Sequence, residues 1–144
     1  MAGRDVGRGR DAMSRQDLMS ASLPFLCFFI FLLLIGPCQA RAADPWTNGD
    51  VAREAVYQTL HFTDMFQTLY IARNPDGWHE HNPILGKHPN PGAVYLYFIG
   101  ASAAHLGVSH VLPKPCREIW QYMTIGVEGT VVLKNFSIGA KWSW

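Results

Sequence analysis

Polar and apolar positions divide the chain into four stretches. Leu18–Ala40 carries no charge, and Leu23–Ile35 within it is almost wholly Leu, Phe and Ile. Arg4, Arg8, Arg10 and Arg15 precede it; Gly36-Pro37 and an Ala40-Arg41-Ala42 small-x-small site follow. A basic lead, a short apolar heart and such a site predict a secretory signal over residues 1–42. An uncleaved anchor is the competing reading, since ~20 apolar residues suffice to span a bilayer. Val51–Ala72 holds no Gly or Pro and stops at Asn74-Pro75, which predicts a helix with Asp50 as its N-cap. Ala93–Leu112 lacks Lys, Arg, Asp and Glu, and is long enough to cross a membrane; the predicted helix is 92–112. Arg117–Lys134 predicts a third helix, begun after Pro113-Lys114-Pro115.

The expected fold is therefore all-α: a three-helix, membrane-embedded bundle in a single domain, residues 43–144, behind the signal or anchor. Between the first two helices, residues 74–91 hold Pro75, Pro83, Pro89, Pro91, Gly77 and Gly86 and cannot be a long helix. Trp78, Ile84 and Leu85 predict that this loop docks on the bundle.

Along 51–72 the polar residues Glu54, His61, Asp64 and Thr68 fall on one side of a 3.6-residue helix, with Gln58 and Gln67 flanking. A soluble helix would turn this face to water. A membrane helix must turn it inward, because a carboxylate facing lipid costs at least ~3 kcal/mol at mid-bilayer. The second helix adds His105 and His110, the third Glu128. The loop offers Glu80, Asn82 and the pair His79/His81, whose spacing does not match the His-Glu-x-x-His helix of zinc proteases. Glu80, with Asn82-Pro83, is expected to fold back and cap the helices. Gly126 and Gly129 permit close helix approach.

Composition changes this picture little. At 144 residues the chain is one domain's worth, and 16% of it is charged against an ordinary ~25%. A net charge of +1 offers no basic patch, so no nucleic-acid partner is expected. The cysteines are Cys27, Cys38 and Cys116. Cleavage after Ala42 leaves one, and hence no internal disulfide. Gly36-Pro37 disfavours Cys38 as a lipid attachment site. Basic residues do not orient the helices: Arg73, Lys87, Lys134 and Lys141 on one side balance Arg41, Arg53, Lys114 and Arg117 on the other. Phosphate loops, Cys-x-x-Cys pairs and Gly-x-Ser-x-Gly elbows are absent from the sequence.

Asp64-Met-Phe-Gln67-Thr68, Ile71-Ala-Arg73-Asn74-Pro75 and Glu80-His-Asn82-Pro83-Ile-Leu-Gly86 with His88-Pro89 resemble a family of small uncharacterised bacterial membrane or exported proteins. The resemblance continues through Tyr97, His105, Leu112-Pro113, Trp120-Gln121, Ile125-Gly-Val-Glu128 and Asn135, and covers about Val51 to Gly139. It implies a bacterial inner-membrane or envelope location and no particular chemistry.

These readings converge on a polar cluster of His61, Asp64, Glu80, Asn82, His105 and Glu128. One function class is a structural or accessory membrane protein, in contact with lipid and with a protein partner or a second copy. The alternative is a membrane protein that binds a small ligand or a divalent metal through His61, Asp64, His105 and Glu128, with acid–base chemistry open to it. A soluble periplasmic helical domain is the third.

Overall fold

A computed structural model describes residues 44–140 and Trp142. The predicted signal or anchor lies outside these residues. Three helices follow one another: α1 (Asn48–Arg73), α2 (Pro91–Val111) and α3 (Lys114–Ser137). The three-helix all-α bundle expected from the sequence is present.

Each helix starts for a local reason. α1 begins three residues before the sequence suggested, because Thr47 and not Asp50 is its N-cap. The Thr47 hydroxyl accepts from the Asp50 amide at 3.2 Å, and the Asp50 carboxylate accepts from the Thr47 amide at 2.8 Å. This capping box satisfies two donors that the first turn leaves orphaned, and it draws Asn48-Gly49 into the helix. α2 is capped by Asn90, whose side chain accepts from the Ala93 amide at 2.8 Å. α3 also starts three residues early. Pro115 sits in its first turn, where a missing amide costs nothing, so the Pro-Lys-Pro run ends α2 and opens α3. Pro113 supplies no side-chain cap, and Asp44 substitutes: its carboxylate accepts from the Lys114 amide at 3.0 Å.

Side-chain bonds fix the register. Arg53–Gln121, His61–Glu128 and Asp64–Asn135 run in step, so α1 and α3 are parallel. Glu54–Ser109, Gln58–Ser102 and His61–Phe98 run in opposite step, so α2 is antiparallel to α1. α1 packs on both neighbours, most extensively on α3. A Cβ at Gly129 would meet Leu60 of α1 at ordinary contact distance and one at Gly126 would meet nothing, so neither glycine is required for close helix approach.

The apolar core is small. Met65, Leu69, Val94 and Phe98 form one cluster near the loop; Leu112 and Cys116 form another at the opposite end. Leu85 packs on the first cluster, and Trp78 meets Tyr70 edge-on at 5.7 Å, so the Pro-rich loop is docked as expected. Ile84, however, is exposed. Glu80 does not cap the helices. Its carboxylate accepts the His81 and Asn82 amides of its own loop, at 2.7 and 2.8 Å, and Asn82 accepts the Ile84 amide at 3.0 Å. Gly86, at φ +74°, completes that turn in a conformation other residues resist. Cys116 is disulfide-bonded, against the expectation of a lone thiol; the other two cysteines lie outside the described residues.

Candidate functional site

The sides of the helices that meet are polar. Asp50, Glu54, His61, Gln67, Thr68, His105, Ser109, Arg117 and Gln121 are buried, nearly as many residues as make up the apolar core. The stripe read from 51–72 faces inward.

The end nearest the helix starts of α1 and α3 is an ion-paired knot. Arg117 is fully buried. It donates to the carbonyls of Ser109 (2.8 Å) and Leu112 (2.9 Å), which the end of α2 leaves without helical partners. It also donates to the Asp44 carbonyl at 2.7 Å and to the Asp50 carboxylate at 3.3 Å. Arg53 pairs with the other Asp50 oxygen and donates to Gln121 at 3.0 Å. Burial pushes the Asp50 carboxyl up; the Thr47 amide and hydroxyl, then the Arg117 and Arg53 guanidiniums, outweigh it and hold the group below the ordinary aspartate value.

Mid-bundle, His105 Nδ1 lies 3.0 Å from the Glu54 carboxylate, and its Nε2 lies 2.9 Å from the Thr124 hydroxyl. The Thr124 hydroxyl also lies 2.9 Å from the Trp120 carbonyl and 3.1 Å from the Gln121 carbonyl of its own helix. Glu54 further accepts from Gln58 (2.9 Å), Ser109 (3.1 Å) and Gln121 (3.2 Å). Toward the loop, His61 Nδ1 lies 2.8 Å from Glu128, and its Nε2 donates to the Phe98 carbonyl at 3.0 Å. Between the two pairs stands Tyr57, stacked on His105 at 3.5 Å and on His61 at 5.3 Å; Trp120 stacks on the far side of His105 at 4.9 Å.

Proton counting follows from these partners. His61 must donate from Nε2, because a carbonyl can only accept, and its Nδ1 then shares a proton with Glu128. That pair therefore holds one proton more than a neutral imidazole beside a carboxylate, and is neutral as a pair. His105 meets a hydroxyl at Nε2, which can donate or accept, and a carboxylate at Nδ1. Pairing of this kind lets the interior accommodate four titratable groups.

Asp64 stands apart. It is partly buried, and its hydrogen-bond partner is Asn135, at 2.8 Å. Glu128 and Glu80 are close enough to act on it electrostatically, as is His61. Asn82 reaches the Tyr97 hydroxyl of α2. Of the residues predicted from sequence, His61, Asp64, Glu80, Asn82 and Glu128 thus gather at the loop end, and His105 lies in a second pair with Glu54. The four residues proposed as one metal-ligand set, His61, Asp64, His105 and Glu128, are divided between these places. Among the described residues no three His, Cys, Asp or Glu side chains could hold a metal ion together. His79, His81 and His110 are exposed.

Asp50, Ser109, Arg117, Gln121 and Thr124 were not singled out from sequence as parts of the network. From sequence, Arg117 stands at the first position of the third helix and counts only among the basic residues of one side. No family model, curated protein or solved structure matches the chain.

Proposed function

We propose that this is a small integral membrane protein whose polar interior binds a small cationic or hydrogen-bond-donating ligand, with His61, Glu128 and Asp64 as its acid–base centre. The observation that carries this reading is the inverted polarity of the bundle. Its buried side chains are rich in charge, while Val56, Phe62, Leu96, Ile99, Leu106, Ile119, Val127 and Leu133 are exposed. Exposed apolar area on this scale marks a surface meant for lipid or a partner. Intramembrane ionisable groups face the bundle interior, pair with one another and mark function.

α2 fits this reading best. It is long and apolar enough to cross a membrane, yet only 22% of its apolar stretch is buried inside the protein. The central helix of a soluble domain would be mostly buried. On α1 the exposed residues from Ala55 to Phe62, and on α3 those from Ile119 to Leu133, carry no charge. The 26, 21 and 24 residues of the three helices give lengths of about 39, 31 and 36 Å, against ~30 Å of hydrocarbon.

A site and a clasp predict different things of the interior. The Arg117–Asp50 knot is satisfied on all sides and serves packing. At the other end, Asp64 adds a third carboxyl group to those of Glu128 and Glu80, beside a pair that is already neutral. Packing accounts for its bond to Asn135 of α3; a ligand that brings a positive or donor group accounts for gathering three acids there. Two measurements test this reading. Resistance to carbonate extraction is expected, and release without detergent overturns membrane residence. In micelles, the ring-nitrogen resonances of His61 should move on titration with small amines and lose that response in Asp64→Asn. Resonances that ignore every amine tried would leave the interior as a structural clasp.

A further inference from the structure

We propose that the His61–Glu128 pair and Asp64 take up a primary ammonium ion in exchange for a proton, and that the similarly built His105–Glu54 pair takes no part. The exchange rests on the ligand-binding reading above and narrows it to one class of ion. The two pairs differ in what their carboxylates have left to offer. Glu54 is saturated: Oε1 meets Gln58 and His105, and Oε2 meets Ser109 and Gln121. Glu128 meets His61 through Oε1, and Asp64 meets Asn135 through Oδ1. Among the described residues, Glu128 Oε2 and Asp64 Oδ2 have no hydrogen-bond partner. The Glu128 side chain is also 16% exposed against 8% for Glu54, so the carboxylate with an open oxygen is the more accessible one.

Gln67 adds a third acceptor. It is fully buried, and its Oε1 has no hydrogen-bond partner among the described residues. Its amide nitrogen makes a long bond of 3.4 Å to the Val132 carbonyl. Val132 lies one turn after Glu128 and three residues before Asn135, which holds Asp64, so the amide head sits on the stretch of α3 that carries both carboxyl contacts. An unmet buried acceptor costs about 1–3 kcal/mol, and native interiors leave few of them. Two carboxyl oxygens and one amide oxygen match the three N–H donors of a primary ammonium.

Charge makes the ion and the proton alternatives. Tyr57 and Asp64 of α1, Tyr97 of α2 and Glu80 of the loop face the His61–Glu128 pair, and of these groups His61 alone is basic. At rest one proton lies between His61 Nδ1 and Glu128 Oε1, and that pair is neutral. A cation added to it leaves a net charge in the interior, which is costly. Release of one proton restores the balance. The ammonium enters, a proton leaves Nδ1 or a carboxyl group for solvent, and His61 keeps the Nε2 proton that it donates to the Phe98 carbonyl. No covalent bond to the ion forms. Affinity is thereby linked to pH, and strengthens by up to ~10-fold per unit of rising pH while the group still holds its proton.

The test uses the full chain in detergent, methylammonium chloride as probe, a pH indicator in weak buffer, and the ring-nitrogen resonances of the histidines. Methylammonium should move His61, leave His105 in place and release close to one proton for each ion bound. Tetramethylammonium, which has no N–H, should do neither. Asp64→Asn combined with Glu128→Gln should release no proton and lose the pH dependence of binding. Gln67→Met removes the unmet acceptor without disturbing charge; it should fold at least as stably as the parent, still release the proton, and bind about tenfold more weakly. Methylammonium that binds without releasing a proton overturns the exchange and leaves the ligand reading standing. Equal binding of tetramethylammonium, or a response at His105 as large as that at His61, overturns the placement of the ion. Methylammonium that fails to bind at any pH overturns both the exchange and a cation as the ligand.

Discussion

Both buried histidines are held by one geometry: a bond between Nε2 and an uncharged oxygen, and a bond between Nδ1 and a carboxylate from another helix. Glu54 shows what that arrangement is worth. It receives bonds from Gln58, His105, Ser109 and Gln121, which come from all three helices. Glu54→Ala removes the common acceptor and strands these donors in the interior. A loss of about 3–5 kcal/mol is expected, read as a fall in the midpoint of unfolding in detergent. Glu118→Ala, which removes an exposed partner of Arg53, should cost under about 1 kcal/mol and serves as the control. Asp50 makes a pH prediction. Its carboxyl is held below the usual value in the folded protein, so its contribution is fully present above the unfolded-state value of ~3.9. It is lost as pH falls through the lower folded value. Protection from hydrogen exchange, relative to the intrinsic rate at each pH, should hold at the starts of α1 and α3 down to about pH 4 and fall below it, before protection falls in the middle of α2.

At the scale of the helices, the sequence was legible wherever one helix speaks for itself. The stripe of Glu54, His61, Asp64 and Thr68 is a property of one helical period, and it faces inward as that period requires. What joins helices was not legible. Glu54 was visible as part of the stripe, but its pairing with His105 depends on a register across the antiparallel α1–α2 contact, which no local pattern encodes. Helix starts were misplaced for a related reason. Asp50 looks like a cap, because aspartate before an apolar run usually is one. Here it occupies the third position of a capping box with Thr47, where it also receives both arginines. Thr47→Ala breaks that box and should cost about 1 kcal/mol, with exchange faster in the first turn of α1 alone. Thr47→Ser keeps the hydroxyl and should cost a few tenths of that. Equal losses in the two variants would mean that the hydroxyl is not what anchors the helix start.

For the whole molecule, the question is which surface meets which solvent. A small soluble domain places its large apolar residues inside and its charges outside. This bundle buries nine polar or charged residues and leaves Leu96 77% and Leu133 70% exposed. The membrane reading turns that inversion into a sharp test on α2, where Leu96, Ile99 and Leu106 point away from the other helices. Substituting an exposed residue of a soluble protein changes stability by no more than about 0.5 kcal/mol, and an added charge raises solubility. At mid-bilayer the same change costs about 3 kcal/mol. Leu106→Asp and Ile99→Asp should therefore reduce the carbonate-resistant fraction several-fold, while Val51→Asp, at the interfacial end of α1, should leave it nearly unchanged. His105, one position from Leu106 and so about 100° round the same helix, is buried. Adjacent positions thus carry opposite demands: charge is tolerated inward, where Glu54 waits for it, and penalised outward. If Leu106→Asp yields a stable protein that needs no detergent, the outer face of α2 is a water-facing surface, and the polar interior must be explained as the core of a soluble domain.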